Sequence, residues 1–262
     1  METKNNLISK TRLISQKIAS PEFKTSSEIV RWMGAMQAQD YLMAKWAIGV
    51  RLKDPNDKKV ESAIDKGEIL RIHILRPTWH FVSADDIYWI LQLSASKIKS
   101  SLKSRHSQLE LTLEDFIWWS NLTIKDARKA IDLVKSDFFL ETMGSTKYLI
   151  PNSYSKPTLE KASVHLLPAY DEFLISYRDR SSSLSEVNNK RTVSDNGIFY
   201  PTIVVNGQVA GLWKRTFQKN QVIVSVSFFN PTDDSTIKKI EIKVCDFGRF
   251  LEKETELIQK TE

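Results

Sequence analysis

Four times along this chain a hydroxyl residue stands three positions ahead of an acidic one at the mouth of an apolar run: Thr25/Glu28, Ser83/Asp86, Thr112/Asp115 and Thr123/Asp126. Such a pair serves a helix start from both sides. The hydroxyl accepts from the backbone of the third helical residue, and the carboxylate reaches back to the capping residue. Behind Thr25, Ile29, Val30, Met33 and Met36 form an apolar stripe that predicts a helix from Ser26 to about Met36. Behind Ser83, Ile87, Ile90, Leu91, Ser94 and Ile98 do the same. An earlier helix is expected from Leu7, Thr11, Ile14 and Ile18, broken by Pro21.

The helix starts are followed by strand pairs. Residues Ile69 to Phe81 alternate apolar with polar around Pro77, which reads as two short strands. Further on, Thr112 opens a helix through Phe116 and Trp119, Ser120-Asn121-Leu122 turns, and Thr123 opens a second helix through Ala127, Ala130, Leu133 and Val134. Phe138 to Glu141 and Tyr148 to Ile150, joined around Gly144, then supply a hairpin. Helix, tight turn, helix and two-stranded ribbon is the order of a winged helix.

Beyond a Pro/Ser/Asn-rich connector, Pro151 to Pro157, β signals dominate. Val204-Val205-Asn206-Gly207-Gln208-Val209 marks a two-residue hairpin, because Asn-Gly accepts the positive φ values of a type I′ turn. Val222 to Phe229 alternates as a strand, Phe247 to Gln259 predicts a closing helix, and Arg178 to Thr192 reads as a solvated loop. The expected fold is α+β, with tandem winged helix-turn-helix units followed by a β-rich C-terminal domain. The boundaries fall at 1–105, 106–152 and 158–262.

A length of 262 residues suits two or three such units. Against 32 acidic residues the chain carries 38 Lys and Arg, a net charge of +6, which favours a polyanionic partner if the excess gathers on one face. Lys125, Arg128 and Lys129 along the second helix of the later unit are candidate phosphate contacts, with a plain solvated face as the other reading. Arg71 and His73 share one face of a strand, with Ile72 and Ile74 opposite. Arg76 has the other parity and joins them only if the backbone turns before Pro77, and His80 is a further candidate on the next strand. The single cysteine, Cys245, excludes an intramolecular disulfide and a Cys-based metal cluster and fits a reducing cytoplasm. No apolar segment reaches the length of a membrane span, so neither secretion nor membrane insertion is expected.

The segment Gly34-Ala35-Met36-Gln37-Ala38-Gln39-Asp40-Tyr41 places two amides two residues apart near a helix end. On a regular helix Gln37 and Gln39 would point to nearly opposite sides, so a shared site requires extended or irregular backbone. Two convergent amides can position a water without taking a proton, since each offers donors and an acceptor. The plainer reading of the same residues is polar surface.

Taken together, Arg31 to Asp40 and Leu75-Arg76-Pro77-Thr78-Trp79-His80-Phe81-Val82 resemble the first winged helix of the AlkZ-like DNA glycosylases. Asp115 to Thr123 resembles a later winged helix of that family. Leu166 to Leu174, with Ala210-Gly211-Leu212-Trp213-Lys214-Arg215, resembles its C-terminal β domain. The resemblance implies a monofunctional glycosylase that hydrolyses the N-glycosidic bond of N7-alkylated purines, bulky adducts and some interstrand crosslinks included. It implies double-stranded DNA as partner, no cofactor and no membrane; a monomer is expected. Gln37-Ala38-Gln39 matches the family's Gln-apolar-Gln signature, which makes Gln37 and Gln39 the catalytic pair that orients water toward the deoxyribose C1′.

One departure stands out. Family members usually carry an additional winged helix between the regions matching Ile98 and Leu113, where this chain has only a short basic segment, Lys99 to Glu110. A non-enzymatic winged-helix DNA-binding or regulatory protein is the alternative. A small-molecule enzyme using Asp171 and Glu172 as acid and base is disfavoured, because adjacent carboxylates on a strand face opposite ways.

Overall fold

The computed structural model describes residues 4–75, 78–101, 113–143, 146–152 and 163–260. The expectations for Arg76, the Thr112 cap, the turn at Gly144 and most of the Pro151 to Pro157 connector lie outside the described residues.

Helix α1 (Lys4–Ser15) opens the fold. Its buried residues are Ile8, Ser9, Arg12 and Leu13 rather than the expected Leu7, Thr11 and Ile14, and just past its end Gln16 and the expected Ile18 are buried too. Two long polar side chains can face inward because partners wait there: Arg12 stacks 3.5 Å over the Tyr177 ring, and Gln16 Nε2 donates to Tyr177 Oη at 3.2 Å.

Helix α2 (Ser26–Met33) begins with the capping box the sequence spells. Glu28 N donates to Thr25 Oγ1 at 3.3 Å, and Thr25 N donates to Glu28 Oε2 at 2.9 Å. The helix ends three residues before Met36, because Gly34 takes φ +71° and turns the chain out of the helical path. Met36–Gln37 therefore become strand β1. Helices α3 (Tyr41–Gly49) and α4 (Asp57–Asp65) follow, capped by Asp40 and Asn56.

Strands β2 (Ile69–Ile74) and β3 (Thr78–Ser83) form the hairpin read from the alternation, paired Arg71↔Phe81 and His73↔Trp79. With β1 they make a three-stranded sheet in the order β1-β3-β2. The Ser83/Asp86 pair does not cap. Asp86 Oδ1 is held by the Trp89 indole N–H at 2.8 Å, and a short 3₁₀ turn precedes α5 (Ile87–Ser101).

The second unit consists of α6 (Leu113–Ser120), α7 (Ile124–Val134), β4 (Phe138–Met143) and β5 (Thr146–Pro151). Between its helices Asn121 takes φ +57°, and Asp126 N donates to Thr123 Oγ1 at 3.1 Å to start α7. Its own core is small: Ile117 and Ala127, flanked by Trp118, Trp119 and Leu122. Leu133, expected on the buried stripe, is 84% exposed, and Val134 is exposed as well.

The remainder holds β6 (Val164–Leu167), α8 (Glu172–Ile175), α9 (Glu186–Thr192), β7 (Thr202–Val205), β8 (Gln208–Phe217), β9 (Gln221–Phe228), α10 (Asp234–Leu251) and β10 (Glu254–Gln259). The five strands run in the order β10-β9-β8-β7-β6. Asn206 and Gly207, both at positive φ, turn β7 into β8 as the Asn-Gly pair requires. Two expectations fail here. The segment Arg178 to Thr192 contains α9, and Ser182, Ser183 and Leu184 within it are buried. The closing helix starts much earlier, at its Asp233 cap, and stops at Glu252, which is left-handed. Glu254–Gln259 then joins β9 as a parallel strand. The alternation of half-buried Thr255 and Leu257 with exposed Glu254 and Glu256 is a strand pattern.

One apolar core joins the first unit to this sheet. Ile29, Val30, Met36, Trp46 and Phe81 pack in the same cluster as Val164, Trp213, Val224, Phe247 and Phe250. The Trp46 indole donates to Leu166 O at 2.9 Å, and its ring lies 5.0 Å from Phe247. Among the described residues no helix is long and apolar enough to cross a membrane.

Candidate functional site

The early end of α2 decides the geometry of the two amides. Past Gly34 the chain is extended, and Met36 and Gln37 pair with Phe81 and His80 of β3. Ala38 N donates to Trp79 O at 2.7 Å, and Gln39 N donates to the Gln37 side-chain Oε1 at 2.8 Å. Gln37 thus folds its amide oxygen over its own backbone, two residues on, in a local turn. Its Nε2 end has no hydrogen-bond partner among the described residues. Gln37 is only 6% exposed, whereas Gln39 is exposed. The requirement for irregular backbone is met.

Neighbouring groups brace this turn. Arg71 donates through Nε at 3.1 Å and Nη2 at 2.9 Å to Ala38 O, with its guanidinium 4.5 Å from the Trp79 ring centroid and 5.4 Å from that of Tyr41. Asp40 caps α3 through Met43 N at 3.2 Å and receives Arg215 Nη2 from β8 at 3.1 Å. Tyr41 Oη donates to Glu61 Oε1 at 2.7 Å. Burial, then Glu61, pushes the Tyr41 hydroxyl pKa well above the ordinary tyrosine value. Lys45 Nζ lies 2.6 Å from Glu61 and 2.9 Å from Asp57. Burial works against its charge, but the two carboxylates outweigh it and raise the lysine pKa. Across the junction Tyr170 takes φ +58°, a strained conformation for a bulky residue. Burial and the nearby Asp40 raise its hydroxyl pKa.

A profile of the family described as DNA glycosylase AlkZ-like matches residues 30–112 and 110–250. The chain belongs to the AlkZ-like DNA glycosylase family. In this AlkZ-like protein the two matched segments meet at residues 110–112, beside the basic segment where the sequence reading expects other members to carry a further unit. The structure is similar to that of the Streptomyces sahachiroi DNA glycosylase AlkZ, with TM-score 0.72 over 98% of this chain and 100% of that one, at 12% sequence identity. At that identity the likeness is one of fold. No curated protein matches the sequence.

The other candidate residues of this AlkZ-like chain part company. Arg71, expected to face phosphate, directs its Nε and Nη2 to the backbone of the Gln-Ala-Gln turn and sits at the motif itself. His73 is exposed, with its ring 4.0 Å edge-on from that of Trp79. His80 does not present itself to a phosphate. It is 2% exposed, and its Nδ1 lies 2.9 Å from Thr78 O, the arrangement of a structural histidine within a sheet. Lys125, Arg128 and Lys129 are exposed on α7 of the second unit, away from the Gln motif in the chain. Between α7 and the β4–β5 hairpin runs a groove of about 570 Å³ whose rim carries Arg128, Lys135 and Lys147.

Two adjacent carboxylates of the C-terminal region, which the sequence offers only as a disfavoured acid–base pair, stand beside the motif, and one of them reaches it. Asp171 caps α8 and forms a two-pronged pair with buried Arg51, both contacts at 2.8 Å. Glu172, next in sequence, accepts from Gln37 N at 2.7 Å. The two acids have separate partners and form no shared acid–base site. The sequence marks them as neighbouring acids inside the Leu166 to Leu174 stretch that carries the resemblance, and nothing in it signals that Glu172 reaches Gln37.

Proposed function

We propose that the protein is a monofunctional DNA glycosylase that hydrolyses the N-glycosidic bond of N7-alkylated purines in double-stranded DNA. The observation that carries this reading is the Gln37–Gln39 turn, which holds one amide rigidly and leaves its Nε2 unengaged beside a second, exposed amide. Neither amide takes a proton at neutral pH, so the pair acts by holding water in line with C1′. Alkylation at N7 places positive charge on the purine. The base then departs with the C1′–N9 electron pair as a neutral leaving group, and the attacking water supplies the new C1′–O bond and loses its proton to solvent. Arg71 and Glu172 support the turn, and Lys125, Arg128 and Lys129 supply phosphate contacts at a distance from the chemistry.

Duplex DNA carrying a single N7-methylguanine, incubated with the protein and assayed for abasic sites, tests the reading. Base release well above the spontaneous rate is expected from the wild-type chain and not from Gln37→Ala combined with Gln39→Ala. Salt-sensitive duplex binding with no release would instead favour the DNA-binding or regulatory alternative. Activity retained in the double variant would overturn the assignment of the two amides.

A further inference from the structure

Strand β1 is an edge strand: it pairs with β3 on one side, and among the described residues no strand pairs with it on the other. In its register Ala38 N turns toward β3, to Trp79 O, so Gln37 N points the opposite way, as alternate residues of an antiparallel edge do. That outward N–H is the one backbone donor of the Gln-Ala-Gln turn that the first unit does not satisfy. It is buried, and it meets Glu172 Oε1 at 2.7 Å, a contact spanning 135 positions of sequence. At 2.7 Å this is a short, well-formed hydrogen bond.

Glu172 is itself fixed before it reaches across. Its Oε2 is held by the Ser176 hydroxyl one turn along α8, and its carbonyl accepts from Gln16 Nε2 at 3.1 Å. Asp171, immediately before it, caps the helix through Phe173 N at 2.9 Å and is clamped by Arg51, which also reaches Gln16 Oε1 at 3.0 Å. Gln16 just past α1, Arg51 just past α3 and the two caps of α8 thus aim one carboxylate oxygen at one amide N–H of the motif. Resting on the glycosylase reading above, we propose that Glu172 is a positioning residue for Gln37. Its carboxylate sets the peptide plane that carries the Gln37 side chain, and so the direction in which the unengaged Nε2 faces. Glu172 touches neither water nor sugar in this role.

The test compares Glu172→Ala, Glu172→Gln and Ser176→Ala with wild type in three measurements. These are the single-turnover rate of N7-methylguanine release, the Kd for a duplex carrying a tetrahydrofuran abasic analogue, and amide hydrogen exchange at Gln37 and Gln39. Expected for Glu172→Ala is a rate constant lowered about fifty-fold with Kd within about two-fold, and exchange at both amides accelerated at least ten-fold. Glu172→Gln, which keeps an acceptor oxygen, should recover most of the rate and protection, and Ser176→Ala should lose a few-fold of each. A Glu172→Ala rate within two-fold of wild type overturns the proposal, as does a Glu172→Gln variant as slow as Glu172→Ala, which would mean that charge rather than the bond matters. If Glu172→Ala does not fold, the Gln and Ser176 variants decide alone. If wild type releases no base, the glycosylase reading fails separately, and the exchange data still show whether Glu172 governs the turn.

Discussion

The two helix-and-hairpin regions of this chain are written in the same local grammar and serve different ends. Both start a helix with a Thr-x-x-acid box and both close with an antiparallel ribbon. In the first, the helix behind the box, the hairpin and β1 pack into a core shared with the C-terminal sheet, and Glu172 and Arg71 each hold a backbone group of the Gln turn. In the second, the core is a few residues, Leu133 and Leu140 lie open, and the cations of α7 point to solvent. Identical start signals therefore say where helices begin and nothing about what surrounds them. Rigid surroundings suit groups that must hold a water in place, whereas an open basic face suits groups that only have to meet phosphate.

The contrast can be broken most severely at the junction. Asp171→Ala leaves the fully buried Arg51 guanidinium without its carboxylate and should cost about 3–5 kcal/mol in urea unfolding. Leu133→Ala on the second unit should stay within about 0.5 kcal/mol. A comparable loss in the two variants would erase the distinction.

Next in size is a pH effect confined to the sealed side. Burial of His165 on β6, with Lys243 and Arg51 nearby, holds its pKa down to about 4 from 6.5. The unfolded chain takes up a proton between those values that the folded chain refuses, so stability is full above pH 6.5 and falls as pH drops toward 4. The loss should reach about 3 kcal/mol. Unfolding measured across that window in His165→Leu should lack this component.

On the open side, replacing Lys125, Arg128 and Lys129 together by Ala should weaken duplex binding at least ten-fold and reduce the slope of log K against log salt by about 3. An unchanged slope would mean that α7 does not face phosphate. The smallest expected change is Thr123→Ala, which removes the cap of α7 and should cost about 1 kcal/mol, read as a shift in the denaturant midpoint.

What could be read from the sequence is what depends on neighbours in the chain. The Thr25 and Thr123 caps, both hairpins and the Asn206-Gly207 turn follow from patterns a few residues long, and each forms. Ser83 failed because Asp86 had a competing partner in Trp89, and β10 was misread because its period of two was taken as the tail of a helix. At the candidate site Gln37 and Gln39 were found by motif, but the bond that braces them joins residues 135 positions apart, and no local pattern encodes it. Arg71, expected to face phosphate, is placed by the fold against the Gln turn. Strand parity gave its face, while the carbonyl it holds belongs to a turn whose shape only Gly34 and β1 determine.

The burial of α1 has a consequence for synthesis. Leu13 on α1 and Ile18 just after it share a cluster with Leu167, Phe173 and Leu174, so most of the apolar surface that covers this segment arrives only when the chain has grown well past its midpoint. At roughly 5–20 residues per second that wait is on the order of ten seconds, long on the scale of collapse and helix formation. A nascent chain of this protein therefore carries Leu13 and Ile18 largely uncovered through most of translation. Ribosome-bound chains halted before Leu167 should engage a holding chaperone that the finished protein ignores.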